Sequence, residues 1–153
     1  LAQARNQFEV YGKDYFPAAQ DVTNEFKAIG IYRWRNWSFS GTWIYATGRP
    51  YTAPEGGYTV TLLDGTEKTF ISAGLKNSRR LADYHRLDLA VNYFIKSRDR
   101  RTDRGSIGFS IFNVYDRKNI WYKEYQIVEG ELISIDKEFL GITPNLTLTL
   151  KLK

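Results

Sequence analysis

The sequence predicts an all-β chain of long, antiparallel, up-and-down strands. Three observations predict it. Apolar and polar residues alternate at period two over much of the chain, with aromatic and β-branched residues concentrated in those stretches. The alternating stretches are long, and the links between them are short and long by turns. Helical periodicity is nearly absent.

Five segments carry the alternation. In 25–34, Phe26, Tyr32 and Trp34 share one face, although Ile29 and Ile31 fall on the other. In 37–47, Trp37, Phe39, Trp43 and Tyr45 oppose Ser38, Ser40 and Thr42. In 84–95, Leu87, Leu89, Val91, Tyr93 and Ile95 oppose Arg86, Asp88 and Asn92, and in 106–114, Ile107, Phe109 and Ile111 oppose Gly108 and Ser110. The last, 139–153, sets Leu146, Leu148, Leu150 and Leu152 against Thr147, Thr149, Lys151 and Lys153. Arg35-Asn36 is a hairpin-sized link. The links 48–83 and 115–138 are long and hold strand-like pieces of their own: 58–63 and 66–71 around Asp64-Gly65, and 122–128 and 132–135 around 129–131. The remaining link, KSRDRRTDR, is charged and reads as a solvated turn.

Alternation fits a soluble sandwich and a membrane barrel equally, since both have one apolar face. Strand length separates them: the last four segments run about 9 to 14 residues, where soluble strands average about 5–6 and tilted bilayer-crossing strands need about 9–11. The polar faces are mostly Ser, Thr, Asn and Gly, where a soluble sheet carries Lys and Glu. Arg86 and Asp88 then point into a polar interior. Trp34 and Trp37 bracket the short turn beside Arg33 and Arg35, as rings at a membrane–water boundary do. The fold expected is therefore a transmembrane β-barrel. Phe39, Trp43, Leu87, Leu89, Val91, Ile107, Phe109, Ile111, Leu146, Leu148 and Leu150 face lipid, and Trp34 and Trp37 stand at the membrane boundary. Five long strands cannot close a barrel, for which about eight is the smallest useful number, and an open edge in lipid leaves backbone groups unpaired. Residues 1–153 are thus expected to be the C-terminal segment of a barrel domain whose other strands lie upstream. The start, LAQARNQFEV, lacks an initiator Met and a signal architecture, as expected of a processed chain or an excerpt.

The chemistry present is sparse. Cysteine is absent, which excludes disulfides and thiolate metal sites. One histidine, His85, without a carboxylate cluster, argues against catalysis, a cofactor or a tightly bound metal. Aromatics make up 16% of the chain, enough to populate both a membrane face and the long links. In those links Tyr51, Tyr58, Trp121, Tyr122 and Tyr125 are the candidate ligand-binding residues, able to stack on a sugar or chelate, although packing between loop hairpins is the reading favoured for them. Net charge is +5, but no K-G-F-G-F-like run accompanies it, and no nucleic-acid partner is expected.

Four stretches, WSFSGTWIYATGRPYTAP (37–54), RLADYHRLDLAVNYFI (80–95), GFSIFNVYDRKNIWY (108–122) and LGITPNLTLTLKLK (140–153), resemble in this order the C-terminal end of TonB-dependent outer-membrane receptors of the Bacteroidetes type. The likeness covers most of the chain from Asn24 onward. It implies a 22-stranded barrel closed by an N-terminal plug. It also implies residence in the outer membrane of a Gram-negative bacterium, in contact with outer-membrane lipid, and import of a scarce or bulky nutrient such as an iron chelate, cobalamin or an oligosaccharide. The TonB energy-transducing complex would be engaged through an N-terminal region that, like the plug, is not in this chain. On that topology 48–83 and 115–138 are extracellular loops, 96–104 is a periplasmic turn, and 1–23 ends an earlier outer loop. Many outer-membrane proteins end on an aromatic residue, and Lys153 departs from that. The alternative from a different class is a soluble β-sandwich carbohydrate-binding module that uses the same loop aromatics.

Overall fold

The computed structural model describes residues 3–8, 14–96 and 103–151. Among them it forms strands and no helix: β1 (Arg5–Gln7), β2 (Tyr15–Pro17), β3 (Glu25–Trp34), β4 (Trp37–Ala46), β5 (Pro50–Tyr51), β6 (Pro54–Thr61) and β7 (Glu67–Ala73). There follow β8 (Arg79–Arg80), β9 (Tyr84–Lys96), β10 (Asp103–Phe112), β11 (Ile120–Val128), β12 (Glu131–Glu138) and β13 (Thr143–Leu150). Two compact units result, one from 26–45, 84–119 and 140–153, the other from 1–25, 46–83 and 120–139.

The first unit is a five-stranded sheet in the order β13-β10-β9-β4-β3. This is the up-and-down order expected from sequence, because the hairpins inserted after β4 and β10 do not disturb the succession. β10 pairs antiparallel with β9 and with β13. Its register lays Tyr93, Ile107 and Leu148 in one row and Val91, Phe109 and Leu146 in the next. A slip of one residue would turn all of them over. Strand ends differ from the sequence expectation at β10. It begins at Asp103, and a bulge at Arg104 brings Gly105 opposite Ile95. A Cβ on Gly105 would stand 2.2 Å from the Thr149 carbonyl oxygen, so only glycine lets β13 approach there. Most of the charged link lies outside the described residues, as does Leu152.

The other unit is built from two-stranded ladders: β1-β2, β5-β8, β6-β7 and β11-β12. The β11–β12 turn is made by Glu129 and Gly130, at φ 53° and 86°. Positive φ at both central positions matches the twist of the flanking strands. The Asp64-Gly65 turn is wider than the two residues expected, because the Leu62 N–H bonds the Thr66 carbonyl and the strands stop at Thr61 and Glu67. More polar than hydrophobic side chains are buried among the described residues. Among the described residues the buried hydrophobics are Phe16 and Ala18, whereas Asp21, Asn77, Asn113 and Asn119 are all buried.

Candidate functional site

The sheet has two chemically distinct faces. On the first lie the rows already named, continued across β4 and β3 by aromatic contacts. Trp37 packs on Tyr93 with ring centroids 4.8 Å apart, Phe39 on Tyr32 at 6.4 Å and Trp43 on Phe26 at 5.7 Å. A Cβ on Gly41 would meet Leu89 at 3.2 Å, which sets Leu89 and the β4 aromatics on the same side. Leu87 and Ile111 share the parity of Leu89 and Phe109. Every residue expected to face lipid thus belongs to one face. That face is uncovered: Leu146, Leu148 and Leu150 are 72%, 63% and 64% exposed. A shallow apolar depression of about 260 Å³ lies between Trp37, Val91, Tyr93, Ile107 and Phe109. Trp34 and Trp37 flank the Arg35 turn, and the Arg35 guanidinium lies 5.1 Å over the Trp34 ring.

The opposite face is mostly polar, with Phe94 and Phe112 among its residues. Ser106, Gly108 and Ser110 of β10 align with Thr149, Thr147 and Asn145 of β13. A Cβ on Gly108 would stand 2.3 Å from the Asn92 side-chain oxygen, so the glycine makes room for that amide. Arg86 is fully engaged here. Its Nε donates to Asp88 at 3.0 Å, its Nη1 to the Tyr84 hydroxyl at 2.9 Å, and its guanidinium caps the Phe112 ring at 3.7 Å. On β3 the parities mix, and Ile29 and Ile31 stay exposed beside Lys27 and Arg33.

The segment after β10 closes on itself through buried asparagines. Asn113, wholly buried, takes φ 53°, a conformation asparagine tolerates. Its backbone N–H donates to Asp88, and its amide donates to the carbonyls of Arg117 and Leu140 while accepting the Arg117 N–H. Asn119 mimics a strand partner, accepting the His85 N–H and donating to the His85 carbonyl. Asp116 accepts the Ile142 N–H at 2.7 Å. His85 is placed beside Tyr115, Nδ1 to hydroxyl 2.9 Å. Asp83 lies before β9 and accepts the Gly48 N–H, so the two do not share a strand.

In the other unit, Asp21 is the centre of a clasp. It accepts the Ala4 N–H at 2.7 Å and pairs with Arg80, whose Nη1 also donates to the Gly48 carbonyl at 2.9 Å. The Ala4 N–H and then the Arg80 guanidinium hold the Asp21 carboxyl below its ordinary range. Asn77 adds a second tie, donating to the Pro17 carbonyl at 2.7 Å. The loop aromatics pair with neighbours. Tyr58 stacks on Phe70 at 5.7 Å, and Trp121 meets Tyr122 edge-on at 5.0 Å and Phe139 at 5.9 Å. Adjacent strand residues normally point apart; the register shift between Ile120 and Tyr122 lets these two rings touch. Burial, followed by the neighbouring Tyr125 hydroxyl, pushes the Tyr51 phenol above its ordinary value. The structure therefore gathers Tyr51 with Tyr125 and Trp121 with Tyr122, and sets Tyr58 in the separate β6–β7 ladder. Sequence reasoning missed the clasp around Asp21 and the Asn113 lock, though Asn at both ends of NVYDRKN was a legible signal for the second. Comparison with protein families, curated proteins and solved structures finds no match for this chain.

Proposed function

We propose that the chain is the C-terminal part of the barrel of a TonB-dependent outer-membrane transporter that imports a scarce or bulky nutrient. The observation that carries this reading is the uncovered apolar face of a long-stranded up-and-down sheet. Exposing a Leu instead of burying it forfeits about 1.5–3 kcal/mol, so a face of this kind calls for an apolar medium. Lipid meets that demand on the face of Phe109 and Leu146, and the face of Ser110, Asn92 and Thr147 lines the polar barrel interior. The edge strands β3 and β13 would pair with the remaining strands, because edge backbone groups unpaired in hydrocarbon cost several kcal/mol each. The ladders of 46–83 and 120–139 contribute to the outer vestibule where the nutrient is first held. A plug and a TonB-engaging segment complete the proposed receptor and supply the movement that transport needs. The four family-like stretches add support.

Detergent dependence tests this reading. The chain is expected to associate in water and to become a defined particle only in detergent. A sharp, dispersed NMR spectrum from a monomer without detergent would overturn the assignment.

A further inference from the structure

The unit formed by 1–25, 46–83 and 120–139 bears an open cleft of about 490 Å³. Small-molecule sites typically span about 300–1,000 Å³. Two exposed lining side chains carry opposite charge, Glu55 and Arg79, and neither makes an ion pair or hydrogen bond among the described residues. Opposite charges on one cleft pair when they can reach each other; these stand more than 4.0 Å apart.

The backbone keeps them separate. Glu55 is the extra residue of a bulge, where the β6–β7 register shifts between Pro54 and Gly56. Bulges re-aim a side chain out of the regular alternation. Gly74, bonded through its N–H to the Ala53 carbonyl, leaves the space that the Glu55 side chain occupies. A Cβ there would stand 3.0 Å from Glu55 Cγ and 2.5 Å from the Ala53 oxygen. Arg79 stands opposite Tyr51 in the β5–β8 ladder. Ala53, Pro54 and Leu75 line the same cleft.

We propose that this cleft binds a zwitterionic ligand, a short peptide with free ends. The Arg79 guanidinium takes the carboxylate through its planar fork, and the Glu55 carboxylate takes the ammonium. The inference rests on the transporter reading for its place in uptake, but binding itself is measured without transport. Loss of binding leaves detergent dependence untouched, and a detergent-independent chain leaves the binding result standing.

The probe is trialanine, compared with its N-acetyl and C-amide forms, titrated into the detergent-solubilised protein by calorimetry. Saturable binding of trialanine is expected, weakened about tenfold or more by either modification, the weight of one charge-assisted contact. Glu55→Gln should abolish only the penalty for acetylation, and Arg79→Gln only the penalty for amidation. Absence of saturable binding, equal affinity for the three peptides, or variants that change both penalties alike would overturn the proposal.

Discussion

If the proposed transporter reading holds, Leu146→Lys is expected to deplete the folded protein in the outer membrane about tenfold or more, while Thr147→Lys leaves it close to wild type. The two residues are neighbours near the middle of β13 and differ in the face they occupy. Leu146 sits opposite Phe109 on the apolar face, and Thr147 sits opposite Gly108 on the polar one. Under the proposed reading the first lysine enters hydrocarbon, at a cost of about 2–4 kcal/mol near the bilayer midplane. It also forfeits the burial of the leucine. The second lysine enters the barrel interior, across from a residue with no side chain, where its charge stays hydrated. Heat-modifiable mobility of the receptor in outer-membrane fractions reads the difference. Equal depletion by the two substitutions would contradict the parity assignment.

Asn113→Ala is expected to destabilise the folded protein by about 3 kcal/mol or more in reversible unfolding from detergent. Alanine leaves the Arg117 N–H and the carbonyls of Arg117 and Leu140 without the partner they have at a wholly buried site. It also removes the polar side chain through which asparagine tolerates a left-handed conformation. Asn119→Ala is the milder comparison, because it removes one reciprocal pair of bonds to His85. A loss under about 1 kcal/mol for Asn113→Ala would show that the lock is dispensable.

The sheet was legible because its signal is local and repeated. The pleat puts every second side chain on one face, so Trp37 to Tyr45 and Leu146 to Leu150 announced both the strand and its face. Strand order followed from the succession of long and short links. Where β3 carries apolar residues on both parities, the pattern blurs, and the strand was found by its hairpin link to β4. The ladders β1-β2 and β5-β8 were not legible, since two or three residues cannot display a period. They are held by contacts far apart in sequence, Asn77 with Pro17 and Arg80 with Asp21. The loop aromatics were found by residue type, but their pairing was not, because it depends on the bulge at Trp121 and on the approach of Tyr125 to Tyr51. Glu55 and Arg79 gave no signal at all, since in sequence each is an ordinary surface charge.

The central claim is that one face of β13 meets hydrocarbon and the other does not. A nitroxide placed in turn at each position from 145 to 150, with the receptor in lipid bilayers, tests it by collision with oxygen and with a water-soluble nickel chelate. The account predicts oxygen maxima at Leu146, Leu148 and Leu150 and chelate maxima at Asn145, Thr147 and Thr149. Chelate access at the three leucines equal to that at the polar positions would contradict it.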